Sequence, residues 1–201
     1  QAQHLILEIA EIFFFLFVAM TYIESMIHMK VFDKLKYNLI SKGYTYRQLF
    51  WVTGILAFFI SPIADNLTTA LILSTVLITI EKENKAFLVP GAINIVVAAN
   101  AGGAFSPIGD VTTTMLWIGD KVSTGMLFTY LFIPSLLCMI VPSFIATFLP
   151  AFKGDIEFDV NEVEKPKSEH SGRMLYLGLG AILFVPVFKT ITHLPPYVGM
   201  M

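Results

Sequence analysis

The sequence predicts an all-α membrane protein: polytopic transmembrane helices with a re-entrant helical hairpin and a discontinuous helix. Three observations carry that prediction. The 201 residues are 56% apolar and only 14% charged, with 18 phenylalanines, and the mean hydropathy is +0.73; soluble domains carry roughly 25% charged residues. Apolar runs such as EIFFFLFVAM and MLFTYLFIPSLLCMIVPSFIATFL lie in stretches suited to a bilayer core of about 30 Å. Two polar, hydroxyl-rich strings interrupt such runs: SPIADNLTTAL at 61–71 and NAGGAFSPIGDVTTTMLW at 100–117. An ionisable group in hydrocarbon costs about 3 kcal/mol or more, so an acid there signals function. Backbone carbonyls freed at a helix break ligate cations where the break lines a protein cavity.

Residues 5–27 read as a first span carrying Glu8, Glu11, Thr21 and Glu24. Glu8 and Glu11 share a helical face. Glu11 is deeper and precedes an unbroken apolar run, which makes it the proton-relay candidate; Glu8 and His4 read as interfacial. Residues 30–48 are basic and amphipathic, a surface helix. Lys30, Lys34, Lys36, Lys42 and Arg47 against Asp33 place it in the cytoplasm.

Residues 49–80 are too long for one untilted helix and too short for two full spans. Ser61-Pro62 falls near the middle, where proline removes a backbone donor and disfavours helix at the preceding residue. The expectation is a re-entrant hairpin with its tip at 61–69, returning to the same side at EKENK. One long kinked helix is the alternative and inverts the downstream topology. Residues 86–118 read as half-helix, break at 101–109 around Gly102, Gly103 and Pro107, then half-helix. A span at 126–149 follows, with kinks at Pro134 and Pro142. Residues 151–172 are a polar linker, and 173–201 hold a further span at 174–190.

Cys138 excludes intrachain disulfides and cysteine metal clusters, being the single cysteine, and is expected to pack as a small hydrophobe. His28, His170 and His193 lack metal-ligand spacing and read as surface residues. The chain begins at Gln1, shows no signal-peptide grammar, and stops after HLPPYVGMM. The expectation is a piece of a longer transporter.

The candidate ion-site residues fall in the two strings. Asp65 and Asn66 at the hairpin tip suit a helix cap, but capping needs no charge at membrane depth, and Thr68 and Thr69 add oxygens. Ser61 reads equally as a ligand or as a hydroxyl bonded to its own helix. Asp110 follows Gly109 at a half-helix start, where the dipole favours a carboxylate. Thr112 and Thr113 follow within a turn, and Ser106 lies in the break. Asn100 borders the break and is a better candidate than Asn94, six residues earlier. Gly102 and Gly103 are structural, with carbonyls available as ligands.

In SPIADNLTTAL, NAGGAFSPIGDVTT, the upstream AEIFFFLFVAMTYIE and the late THLPPYVGM, the chain resembles the NhaD-type sodium/proton antiporters of the ion-transporter superfamily. The resemblance covers essentially the whole chain. It implies two inverted repeats, each with one re-entrant hairpin and one broken helix. Residues 1–150 are then the first repeat and 173–201 the start of the second. Dicarboxylate carriers of the superfamily carry a similar hairpin tip; Asp65-Asn66-Leu67-Thr68-Thr69 is the antiporter version, with an added acid.

The expected function is secondary antiport of Na⁺ (or Li⁺) against protons, and not an enzyme activity. A carboxylate holds either a cation or a proton, and competition at Asp65, Asn66 and Asp110 couples the two fluxes. Hard Na⁺ suits Asp, Asn, Thr and carbonyl oxygens. The chain has no GxxxxGK[ST] string, so an ion gradient supplies the energy. The alternative is Na⁺-coupled uptake of a dicarboxylate or other anion, which Asp65 and Asp110 would repel unless neutralised. A remote alternative is an intramembrane aspartyl protease with Asp65 and Asp110 as its dyad; the chain reads PIGD where that class has GxGD. The partners implied are Na⁺ or Li⁺, protons, the lipid bilayer, the remaining C-terminal half, and a second copy in a homodimer. Nucleic acid is not among them, and no cofactor beyond the transported ions is called for. The bacterial inner membrane is the expected location, with a chloroplast envelope as the other.

Overall fold

A computed structural model describes residues 2–81, 84–152 and 171–199. Among these residues there are eight α-helices, two short 3-10 turns and no strand. The first helix, α1, is Ala2–His28. Helix α2, Val31–Ile40, turns Val31 and Leu39 inward with Leu35 half-buried between them, a spacing of four on one face. It ends well before residue 48. The chain reverses through Gly43 at φ 61°, and a capping box starts the next helix. Gln48 N–H donates to Thr45 Oγ1 at 3.3 Å while Thr45 N–H donates to Gln48 Oε1 at 3.1 Å.

Helices α3, Tyr46–Ala64, and α4, Asn66–Ile80, are separated by Asp65 alone. The turn falls at Asp65, later than the Ser61-Pro62 dipeptide. Pro62 is tolerated in the last turn of α3 because it removes one bond, that to the Phe58 carbonyl, so close to the helix end. The outer ends of α3 and α4 meet: Tyr46 Oη donates to Glu81 Oε2 at 2.6 Å. The pair is therefore an antiparallel hairpin.

Helix α5, Lys85–Ala104, starts at an Asn84 cap, whose Oδ1 accepts from Phe87 N at 3.2 Å. It runs parallel to α3. The Tyr46 and Phe87 rings are 4.7 Å apart at one end, and Ser61 Oγ donates to the Ala99 carbonyl at 2.6 Å near the other. Halfway along, Asn94 Nδ2 donates to the Phe50 carbonyl at 3.1 Å and its Oδ1 accepts from Ser143 Oγ at 2.5 Å. The break covers 105–110, and α6 is Val111–Ile118. Gly102 and Gly103 thus belong to α5 and not to the break.

Helix α7, Thr124–Ala146, is capped by Ser123, and a 3-10 turn follows at Pro150–Phe152. Phe152, at the head of the expected linker, is buried between Phe50 and Phe87 with ring centroids 4.5 and 5.7 Å away. The rest of that linker, 153–170 with His170, lies outside the described residues. Helix α8 is Ser171–Thr192, and a last 3-10 turn is Pro196–Gly199.

Four helices among the described residues are long and apolar enough to cross a membrane: Ile9–His28, Tyr46–Ala64, Lys85–Ala104 and Thr124–Ala146. Their outer faces are apolar too, with Phe13, Phe17, Ile133, Leu137 and Ile145 exposed, as lipid contact requires. The protein is an all-α, multi-pass membrane protein. Cys138 lies on that outer face instead of packing inside, because α7 buries only one stripe, Ser135, Met139 and Ser143 among it. Two apolar clusters form the interior. One joins α3, α4, α5 and α7 around Phe50, Phe58 and Leu73; the other joins α1, α6 and α8 around Phe15, Trp117 and Val185. Ile63, in the last turn of α3, and Ile108, in the break before α6, pack on the second cluster, so the turn at Asp65 and the break lie where the clusters meet.

Candidate functional site

The second break touches the last turns of α3 and α5 through backbone. A Cβ on Gly109 would lie 2.8 Å from both Gly103 Cα and Pro62 Cα, and one on Gly103 would lie 2.8 Å from the Gly109 carbonyl oxygen. A Cβ on Gly102 would sit 2.1 Å from the Phe58 oxygen, the carbonyl that Pro62 leaves without a helical donor. Glycine serves here for close approach between helices. Ser106 Oγ ties the break down, donating to the Pro62 carbonyl at 3.3 Å and accepting from Ile108 N at 3.2 Å.

This contact brings the polar side chains together. Asn66 Nδ2 donates to Asn100 Oδ1 at 3.0 Å and to Asp110 Oδ1 at 3.3 Å. Thr112 Oγ1 donates to Asp110 Oδ2. The Asn100 amide is oriented by its own bond to the Val96 carbonyl at 2.8 Å. Four side chains from α4, α5 and the head of α6 thereby converge on one small, half-open volume, Asn100 and Thr112 being exposed and Asn66 and Asp110 half-buried.

The two acids differ. Asp65 does cap α4: its Oδ1 accepts from Thr68 N at 2.8 Å and its Oδ2 from Thr68 Oγ1 at 2.6 Å. Its backbone stands at φ 54°, ψ 162°, a region essentially reserved for glycine and costing roughly 1–3 kcal/mol. Asp110 occupies the cap position of α6 but makes no side-chain cap bond. Capping therefore accounts for the Asp65 side chain and not for Asp110. No hydrogen bond joins the two carboxylates among the described residues; both Asp65 oxygens face Thr68, whereas those of Asp110 face Asn66 and Thr112.

The remaining candidates take lesser places. Thr69 is buried, and its Oγ1 has no partner, one turn beyond Asp65. Thr113 Oγ1 donates to the Ala104 carbonyl at 3.4 Å, a helix-joining role, and Ser61 is occupied by Ala99. Glu11 is half-buried on α1 and outside the Asn66–Asp110 cluster. It stands one turn before Phe15, which lines a cavity of about 270 Å³ shared with Ala19, Asp65, Asn66, Ile108 and Thr114. The side chains of His4 and Glu8 lie outside the described residues, while His28 and His193 are exposed. The sequence did not point to Lys189, whose Nζ is 2.9 Å from Asp120 Oδ1. Its partners are about 70 residues away, and a lone lysine near a helix end carries no local signal.

Carboxylate, amide and hydroxyl groups thus meet where the turn between α3 and α4 packs against the break between α5 and α6. The chain matches the citrate-transporter family over residues 5–201. The chain belongs to that family. It is 44% identical over 200 residues to the Na(+)/H(+) antiporter NhaD of Vibrio parahaemolyticus, covering 99% of this chain and 47% of that protein. It is 46% identical over 200 residues to the Na(+)/H(+) antiporter NhaD of Vibrio cholerae, covering 99% and 41%. To sodium/proton antiporter 1 of Arabidopsis thaliana it is 37% identical over 200 residues, covering 99% and 34%. The chain thus spans less than half the length of these relatives. No solved structure matches it. The similarity to these NhaD antiporters extends over 99% of the chain.

Proposed function

We propose that this chain is the first repeat of a secondary active transporter that exchanges Na⁺, or Li⁺, for protons at intramembrane carboxylates. The observation that carries the reading is the Asn66 amide held between Asn100 and Asp110, with Asp110 free of a capping role. An ionised Asp110 neutralises a cation, while the Asn66, Asn100 and Thr112 oxygens replace its hydration shell. A proton on the same carboxylate removes that charge and releases the cation. Competition of this kind couples the two fluxes without a separate energy source. Thr69, with its unpaired buried hydroxyl, and Asp65 supply further oxygens on the hairpin side. The Vibrio relatives, named as Na(+)/H(+) antiporters, favour the same cargo.

The test is made in the full-length protein, in everted membrane vesicles, by following ΔpH as Na⁺ is added. Asp110→Asn and Asp65→Asn keep size and an oxygen but lose the titratable charge. Each is expected to abolish the Na⁺-dependent response at normal protein levels. Wild-type responses in both would sink carboxylate exchange. Membership of the citrate-transporter family favours a second reading, Na⁺-coupled uptake of an organic anion. Citrate accumulation that depends on Na⁺ in the same vesicles would establish it instead.

A further inference from the structure

Helix α6 is eight residues long, about 12 Å, and its two ends are held in different ways. At its head, Asp110 meets the neutral amide of Asn66. At its tail, a charge closes the helix. The last four carbonyls of any helix lack partners within it, yet here every one is satisfied. Gly119 N donates to the Met115 carbonyl at 3.0 Å, Lys121 N to Leu116 at 2.9 Å, and Asp120 N to Trp117 at 3.3 Å, the bonds of a Schellman turn. Lys189, arriving from α8, donates through Nζ to the Trp117 carbonyl at 2.5 Å and the Ile118 carbonyl at 3.4 Å. The same ammonium lies 4.6 Å over the Trp117 ring and 2.9 Å from Asp120 Oδ1.

Two further details make this more than a packing accident. Asp120 occupies the left-handed position of the turn at φ 53°, where glycine is usual, although Gly119 stands one residue earlier. A strained aspartate in place of glycine puts a carboxylate on Lys189. The lysine side chain is only 14% exposed on a helix that is otherwise apolar from Tyr176 to Thr192, and a lysine in such a segment calls for a named partner. Trp117 is itself anchored, its Nε1 donating to Thr124 Oγ1 at 3.0 Å and its ring edge-on to Phe15 at 6.3 Å.

We propose that Lys189 is a positioning residue for cation exchange at Asp110, the fixed anchor that sets where the head of α6 stands; this rests on the antiport reading above. A short helix behaves as a rigid rod, so a loosened tail displaces the Asp110 carboxylate relative to Asn66 and Asn100. Ligand geometry governs cation affinity, so the effect falls on half-saturation by Na⁺. A purely structural role would lower the amount of protein, and the rate with it, at unchanged half-saturation.

The experiment uses the full-length protein in everted vesicles, titrated with Na⁺ and normalised to protein content. Lys189→Met is expected to raise half-saturating Na⁺ roughly tenfold, the scale of outer-shell changes at metal sites, with the maximal rate per protein largely kept. Lys189→Arg, which keeps charge and donors, is expected to restore the wild-type value. Should Lys189→Met fail to accumulate, Asp120→Gly decides the matter, because glycine suits the left-handed turn and takes the largely exposed carboxylate off Lys189; a raised half-saturation supports the anchor. Unchanged half-saturation in whichever of these variants is measured, or failure of arginine to rescue, overturns it. Asp110→Asn runs alongside: if it retains exchange, Asp110 is not the exchange site and the reading on which the anchor rests fails, whereas its loss with an unaffected Lys189→Met removes the anchor alone.

Discussion

At the scale of single residues, Asp65 separates stability from function. Its carboxylate caps α4, worth about 1 kcal/mol, while its φ of 54° stores strain of similar size. Asp65→Gly loses the one and relieves the other, so detergent-solubilised full-length protein should melt within a few degrees of wild type and still fail to exchange Na⁺ for protons. Asp65→Ala loses the cap and keeps the strain, and should melt clearly lower. Equal melting of the two would remove the strain argument. Gly102→Ala is the opposite case, because its Cβ would meet the Phe58 oxygen at 2.1 Å. Forced displacement of packed backbone costs about 1–3 kcal/mol or more, visible as a large drop in melting temperature. Asp65, Asn66, Asn100 and Asp110 were legible because acids and amides stand out in apolar sequence. Lys189 was not, since its contacts come entirely from residues distant in the chain.

At the scale of helices, the sequence located both interruptions but not their edges. The turn at Asp65 falls inside the expected tip at 61–69, whereas the Gly102-Gly103 pair drew the second predicted break to 101–109, and the chain breaks at 105–110. Proline near a helix end removes a single bond, and paired glycines on a packed face serve approach rather than bending. The capping box at Thr45 and Gln48 was a readable signal that the long surface-helix expectation passed over. The link between α3, α5 and α7 was not readable: Asn94 holds the Phe50 carbonyl and accepts from Ser143, and a lone buried amide names no partner. Side-chain hydrogen bonds between membrane helices average about 0.6 kcal/mol, and a buried group left unpaired costs about 1–3 kcal/mol. Asn94→Ala should therefore lower the melting temperature more than Ser143→Ala, and the double variant should fall short of the sum. Additive losses would mean that the two residues act separately.

At the scale of the whole molecule, the site has an open side. Asn100 and Thr112 are exposed, as are Leu67, Val96, Val111 and Met115 around them. Alternating access requires a facing surface, so residues 1–201 expressed alone should show neither saturable Na⁺ flux nor proton coupling. Reconstituted fragment with both activities would overturn the two-repeat proposal. The bond from Tyr46 to Glu81 bears on membrane sidedness. Because α3 and α4 begin and end together, they contribute an even number of crossings, whatever depth the turn at Asp65 reaches. The basic stretch around Lys42 and the start of α5 at Lys85 then face the same compartment. In a full-length protein freed of its native cysteines, Cys138 among them, cysteines at Gly43 and at Lys85 should both react with an impermeant thiol reagent from the cytoplasmic side, and labelling from opposite sides would mean an odd count.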